Sequence, residues 1–171
     1  MPSPDPSSLK DYLTSVFRIL INNQQEGTLS ISPARLRAAL RPILADHGFA
    51  AGELSVAIVD DPTIHELNRR HLAHDYPTDV LSFVLERGAG MLAGEVIASA
   101  DTARHRAGDF GCDARDELLL YLIHGTLHLV GYRDSSAKER KEMRAQERHY
   151  LAQAGVVMVR SATRGQGDTH R

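Results

Sequence analysis

The stretch ARDELLLYLIHGTLHLVGYRD, residues 114–134, decides the fold. Up to Val130 it is apolar nearly all round, and a helix without a polar face has to be buried in the centre of a domain. Asp113 can cap the start of this helix. Gly131 can end it, because glycine readily adopts the left-handed conformation that closes many helices. The rest of the chain must therefore supply the layers that cover this helix.

Hydrophobic periodicity outside this stretch predicts a small sheet and further helices. Strands are expected at residues 16–22, 54–59, 79–85 and 91–99, with an antiparallel hairpin at Arg87-Gly88-Ala89-Gly90. Helices are expected at residues 34–48, after the cap Asp60-Asp61-Pro62, and from about Ser136 to Gln153. Pro42 should kink or end the first part of the helix at 34–48. The segment GDFGCD, residues 108–113, is expected to be a loop. Since these elements do not alternate strictly, we predict an α+β fold, a small mixed β-sheet of about four strands covered by helices.

The length of 171 residues suits one domain. We expect a flexible lead-in at residues 1–11, a single structured domain at 12–159 and a disordered tail at 160–171. The one cysteine, Cys112, excludes an intramolecular disulfide and a four-thiolate zinc site. No apolar run approaches the roughly 20 residues that cross a bilayer, and the first residues do not resemble a signal peptide. We therefore expect a cytoplasmic protein with no membrane partner.

Three side chains in the central stretch have the spacing of metal ligands. His124 and His128 are four residues apart, so both imidazoles lie on one face of the helix, and Asp134 returns after the turn at Gly131. A lone histidine in an apolar helix is more often a hydrogen-bonded core residue, but two with a returning carboxylate favour one Zn²⁺ ion. Three ligands and an open fourth position are typical of catalytic zinc, which lowers the pKa of its bound water to about 7. The central buried helix is thus expected to carry the metal ligands.

The same ligand spacing occurs in metzincin peptidases, which place a glutamate general base directly after the first histidine. Here that position is Gly125. Glycine has no side chain to accept a proton, so peptide hydrolysis by the usual route is disfavoured. A metallopeptidase or another zinc hydrolase remains an alternative.

The motif HGTLHLVGYRD, residues 124–134, is accompanied by further motifs in a fixed order: Leu67-Asn68, PTDVLSF at 77–83, GEVI at 94–97, and Met143 with Glu147. This combination resembles the YbeY family of zinc-dependent endoribonucleases. The resemblance implies a single-strand-specific endoribonuclease that matures the 3′ end of 16S rRNA and takes part in ribosome quality control. It implies rRNA and the small ribosomal subunit, ribosomal proteins and an assembly GTPase as partners. A non-catalytic ribosome-assembly factor in which zinc has only a structural role remains an alternative.

The sequence departs from the family pattern at two places. Asp134 stands where most members have histidine, with Arg133 where they have aspartate, and Leu72 stands where the family commonly carries an arginine proposed to assist RNA cleavage. A carboxylate is an ordinary zinc ligand, so the metal site should survive the first change. Arg70 and His71 are candidates to assist the zinc-bound water in place of the missing arginine.

An RNA substrate needs cations for its phosphates, and the net charge of −2 requires a local basic patch. The candidate substrate-binding residues are Arg69, Arg70, Thr78, Asp79 and Ser82. A solvated helix end and ordinary turn chemistry are the alternative roles for these side chains. Arg140, Arg144 and Arg148 recur every four residues, but Glu139, Glu142 and Glu147 between them favour a mixed-charge solvent face. Attack by water and attack by the RNA 2′-OH both remain open.

Overall fold

The structure, a computed structural model, describes residues 17–27, 29–76 and 78–158. The expected lead-in at 1–11 and tail at 160–171 lie outside these residues, as do both ends of the expected domain at 12–159. The elements in chain order are β1 (Phe17–Asn23), α1 (Pro33–Asp46), β2 (Ala51–Val59), α2 (Asp61–Leu72), β3 (Val80–Gly88), β4 (Met91–Ser99), α3 (Ala100–Phe110), α4 (Ala114–Val130) and α5 (Ala137–Gln153). None of the described helices has the length and apolar character needed to cross a membrane.

The four strands form one mixed sheet in the order β1-β2-β4-β3. β1 and β4 run parallel to β2, whereas β3 runs antiparallel to β4 and forms one edge. The two residues of the hairpin turn, Ala89 and Gly90, connect β3 to β4, and Gly90 has a φ of 71°. The predicted α+β fold with a mixed sheet of about four strands is confirmed.

α4 is the central helix, as its sequence predicts, and it packs on the sheet through a glycine. A Cβ atom added to Gly125 would lie 2.6 Å from Val96 Cγ1 on β4 and 3.0 Å from Val80 Cγ2 on β3. Gly94 on β4 makes the same kind of close contact from the sheet side, since a Cβ atom added there would lie 2.9 Å from Leu129 Cδ1 on α4. These two glycines let α4 approach the sheet closely and fix its register beside the edge strand β3.

The two faces of the sheet are covered unequally. α4 belongs to the larger core cluster, which includes Leu54, Val56 and Val96 from the central strands. On the opposite face, α2 packs with a small cluster of Val59, Ile64, Leu81 and Ile97. The larger face therefore holds the central helix, and the metal-ligand candidates with it.

α3 was not expected from the sequence. Its buried residues are Ala100, Ala103 and Ala107, which are too small to produce a strong apolar periodicity. The predicted loop at 108–113 is wrong for its first residues, because the helix continues to Phe110 and ends at Gly111 in the left-handed conformation. In α1, similarly, Pro42 does not end the helix, which continues to Asp46.

Candidate metal centre

The three predicted ligands converge on one point. His124 Nε2 lies 2.9 Å from His128 Nε2, and Asp134 Oδ2 lies 3.5 Å from the first and 3.6 Å from the second. A tetrahedral zinc ion with bonds of about 2.0–2.1 Å separates neighbouring ligand atoms by about 3.3 Å. Two imidazole nitrogens and one carboxylate oxygen at this spacing fit a zinc-like ion, and the group is able to hold a metal.

His124 reaches this point from the buried side of α4. Its Nδ1 atom lies 2.6 Å from Glu147 Oε1 on α5. A carboxylate oxygen accepts hydrogen bonds, so the Nδ1–H of the imidazole donates and Nε2 is directed towards the other two candidate ligands. The His124 side chain is 11% exposed and that of Glu147 is 12% exposed, so this hydrogen bond is largely shielded from water.

His128 is oriented by the backbone that follows α4. Its Nδ1–H donates to the carbonyl oxygen of Tyr132 at 3.0 Å. The Tyr132 ring contacts His47 edge-on at 5.4 Å, and the Tyr132 hydroxyl lies 3.3 Å from His47 Nε2. Burial lowers the pKa of His128 below its ordinary value of 6.5, and the neighbouring His124 lowers it further. The neutral imidazole, the form that binds metal, is therefore favoured at neutral pH.

Asp134 is placed by the turn between α4 and α5. Gly131 ends α4 with a φ of 113° and donates its N–H to the carbonyls of His128 and Leu127. Arg140 from α5 then donates to the carbonyl of Asp134 at 3.2 Å. Ser136 begins α5 with a capping box, so the connection from one helix to the next is closely defined. The spacing of the sequence therefore predicts the approach of Asp134 correctly, while its role as a ligand stays a prediction.

Gly125 faces the sheet and has no room for a side chain. A glutamate there, the general base of metzincin peptidases, would overlap Val96 and Val80. The close packing of α4 on the sheet therefore explains why position 125 cannot carry the glutamate of a metzincin peptidase.

The predicted RNA-binding arginines pair with an acid of their own helix. Arg69 donates to Glu66 through Nε at 3.0 Å and Nη2 at 2.8 Å, and Arg70 Nε lies 2.6 Å from Glu66 Oε1. The hydrogen bonds from these arginines lower the pKa of Glu66. Both arginine side chains stay exposed, at 59% and 68%. His71 is exposed and its ring packs edge-on against Phe83 at 5.6 Å. The roles of these side chains in RNA binding and cleavage stay predictions.

The three candidates before and within β3 lie in different surroundings. Thr78 donates its hydroxyl to the carbonyl of Val80 at 3.2 Å, and the carbonyl of Asp79 accepts from the N–H of Ser99 at 2.9 Å. Both contacts are of the turn and strand-end kind that the sequence leaves open as an alternative. Ser82 points towards α4, with its hydroxyl 3.2 Å from the Cβ position of Gly125. Ser82 is therefore adjacent to the residue that follows His124.

Glu147 is the site residue that the sequence analysis placed wrongly. It was expected on a mixed-charge solvent face of the last helix, but its carboxylate turns inward to His124. The signal that could have found it is its position four residues after Met143 and four before Leu151, both of which are buried. Helical spacing places residues four apart on one face, so Glu147 belongs to the buried stripe of α5.

Comparison with known proteins gives one consistent family. The family model described as endoribonuclease YbeY matches residues 20–155. A protein of that name from Rhodopirellula baltica is 44% identical over 149 residues, covering 82% of this chain and 77% of its own length. Another, from Pelotomaculum thermopropionicum, is 36% identical over 150 residues, covering 81% of this chain and 98% of its own length.

The fold is also similar to a solved structure. The solution structure of a protein from Thermotoga maritima matches with a TM-score of 0.52 and 27% identity, covering 79% of this chain and 89% of that chain. The extent of the family match, together with the motif from His124 to Asp134, shows that this chain belongs to the endoribonuclease YbeY family.

Proposed function

We propose that this chain is a zinc-dependent endoribonuclease that cuts single-stranded RNA, and that it matures the 3′ end of 16S rRNA and serves ribosome quality control. The observation that carries the proposal is the convergence of His124, His128 and Asp134 in a chain whose relatives are named endoribonucleases. The proposed partners are rRNA in the small ribosomal subunit, ribosomal proteins and an assembly GTPase, in the cytoplasm.

The donor set supports zinc as the metal. Two imidazole nitrogens and one carboxylate suit Zn²⁺, whereas Mg²⁺ and Ca²⁺ are held mainly by oxygen atoms. A bound zinc ion would supply Lewis acidity for a phosphoryl oxygen and would make water acidic enough to react at neutral pH.

The protein's own contribution at the centre is to keep the proton of each imidazole on Nδ1, so that Nε2 is the atom available to a metal. Glu147 accepts a hydrogen bond from the Nδ1–H of His124, and the Tyr132 carbonyl accepts one from the Nδ1–H of His128. The Nε2 lone pairs of both rings are then available on the same side. The low pKa of His128 keeps its imidazole neutral, so no proton has to leave it before a metal binds.

The arginines at the end of α2 are proposed to bind RNA phosphates. Their ion pairs with Glu66 are exposed to water, and such pairs contribute little to stability. A phosphate is therefore able to compete with Glu66 for Arg69 and Arg70. Thr78, Asp79 and Ser82 are proposed to orient the substrate, with Arg70 and His71 assisting the reaction.

The experiment is cleavage of a small-subunit rRNA 3′-precursor by the wild-type protein and by His128→Ala, each with zinc and after chelation. We expect cutting only by the metal-loaded wild-type protein. Cutting by the chelated protein or by the variant would contradict the proposal. An assay on casein beside the RNA tests the peptidase alternative, which the packing of Gly125 disfavours. A 2′,3′-cyclic phosphate on the products would identify attack by the 2′-OH.

A further inference from the structure

Glu147 is a carboxylate on the buried face of a helix. Met143, Tyr150 and Leu151 form the buried stripe of α5, and the Glu147 side chain lies on the same stripe with 12% of its surface exposed. Moving a carboxylate out of water is costly unless a partner compensates for the lost hydration. Glu147 therefore needs a hydrogen-bonding partner that compensates for the lost hydration of its carboxylate.

The partner is one of the candidate metal ligands. Glu147 Oε1 lies 2.6 Å from His124 Nδ1, within the range of a strong, charge-assisted hydrogen bond. A carboxylate stabilises the imidazole tautomer that carries its proton on Nδ1. In that tautomer the lone pair is on Nε2, the atom that lies 3.5 Å from Asp134 Oδ2 and 2.9 Å from His128 Nε2.

We infer that Glu147 is a positioning residue of the metal centre: its carboxylate fixes the tautomer and ring orientation of His124, so that Nε2 faces the ion. The inference rests on the metal site of the proposed function and adds a fourth side chain to it. His128 obtains the same orientation from the backbone carbonyl of Tyr132, which no side-chain substitution removes. A substitution of Glu147 therefore removes the group that orients the His124 ring while leaving all three candidate metal ligands in place.

A rival role for Glu147 is an ion pair that only joins α5 to α4. In that case losing Glu147 would lower the free energy of unfolding of the metal-free protein. The zinc affinity of the folded protein would not change, because the orientation of His124 would not depend on Glu147. The two roles therefore differ in the zinc affinity of the Glu147 variants.

The first test measures zinc affinity by competition with a chromophoric chelator at neutral pH. We expect Glu147→Ala to bind zinc about 10- to 100-fold more weakly than the wild-type protein. Glu147→Gln should lose less, since its amide oxygen still accepts from Nδ1. The matched control is Glu142→Gln on the same helix, where the side chain is 54% exposed and pairs with Lys138 at 3.9 Å. We expect this control to bind zinc as the wild-type protein does.

The second test needs no variant. Nitrogen NMR of the labelled imidazoles in the zinc-loaded wild-type protein should show His124 bound to the ion through Nε2, with Nδ1 not a ligand. Wild-type zinc affinity in Glu147→Ala would overturn the inference, as would a zinc-loaded His124 bound through Nδ1. No zinc binding by the wild-type protein would overturn it as well.

RNA cleavage separates this inference from the proposed function. If zinc affinity depends on Glu147 but the wild-type protein cuts no RNA, the proposed function fails and the inference stands. If zinc-dependent cutting occurs while the Glu147 variants bind zinc normally, the inference fails and the proposed function stands.

Discussion

Two pairs of histidines in this molecule have similar spacing in the sequence and opposite surroundings. His124 and His128 each donate Nδ1–H to a fixed acceptor, and their Nε2 atoms converge. His71 and His74 are exposed, and their rings pack on Phe83 and Tyr76 at 5.6 and 5.1 Å. The difference teaches that a metal ligand is defined by what orients its second nitrogen more than by the presence of a nearby histidine.

The backbone explains part of this contrast. His124 and His128 both lie inside α4, so they share one face of a rigid helix. α2 ends at Leu72, and Ala73 takes the left-handed conformation with a φ of 55°, so His74 lies beyond the helix and leaves the face of His71. A spacing that would suit ligands in a continuous helix is thereby broken.

The largest expected effect is the loss of a ligand from the converging pair. His124→Ala should lower zinc affinity by more than the roughly 10- to 100-fold that loss of an orienting partner costs. His71→Ala is the matched control, and its zinc content should remain that of the wild-type protein. Metal analysis of the purified, dialysed variants measures both. Equal zinc content in the two variants would contradict the comparison.

The next effect concerns the packing of α4, the helix that bears His124 and His128, against the sheet. Gly125→Ala should lower the free energy of unfolding by about 1–3 kcal/mol, because the added methyl group would overlap Val96. Gly108→Ala in α3 is the control: its Cβ would meet nothing within 4 Å, and alanine favours a helix by up to about 1 kcal/mol. Urea unfolding of the metal-free proteins should therefore show a lower free energy of unfolding for Gly125→Ala and a higher one for Gly108→Ala. A stabilised Gly125→Ala would refute the close approach of α4 to the sheet.

A smaller effect concerns the dependence of stability on pH through His128. The folded protein holds the pKa of His128 below 6.5, so on acidification the unfolded chain takes up a proton before the folded state does. Stability of the metal-free protein should be unaffected by this residue above about pH 6.5 and should fall as the pH drops towards the folded pKa. Urea unfolding at several pH values checks this, with His128→Gln expected to lose less stability on acidification than the wild-type protein.

The smallest effect on stability is expected at the end of α2. Arg70→Ala removes an exposed ion pair to Glu66, so the free energy of unfolding should hardly change. If Arg70 binds a phosphate, RNA affinity should weaken and its dependence on salt should become less steep. Arg144→Ala, exposed on α5, is the control. Identical salt dependence in the wild-type protein and Arg70→Ala would remove Arg70 from the RNA-binding surface.

Local patterns explain what could be predicted from the sequence. The all-round apolar character of α4, its end at Gly131 and the approach of Asp134 depend on neighbouring residues in the chain, and these predictions agree with the structure. α3 was missed because its buried side chains are alanines. Glu147 was placed on the solvent face because its partner lies on another helix, and only the packing of α5 against α4 brings them together.

The short span of the candidate ligands, residues 124–134, has a consequence for how the protein would acquire a metal ion. Bringing together groups so close in the chain costs little loop-closure entropy, so the three donors can meet as soon as α4 and its turn have formed. Glu147 joins them only when α5 docks. If the proposed zinc ion were captured early, it would be held loosely at first and tightly once the last helix is in place. The docking of α5 would then complete metal binding.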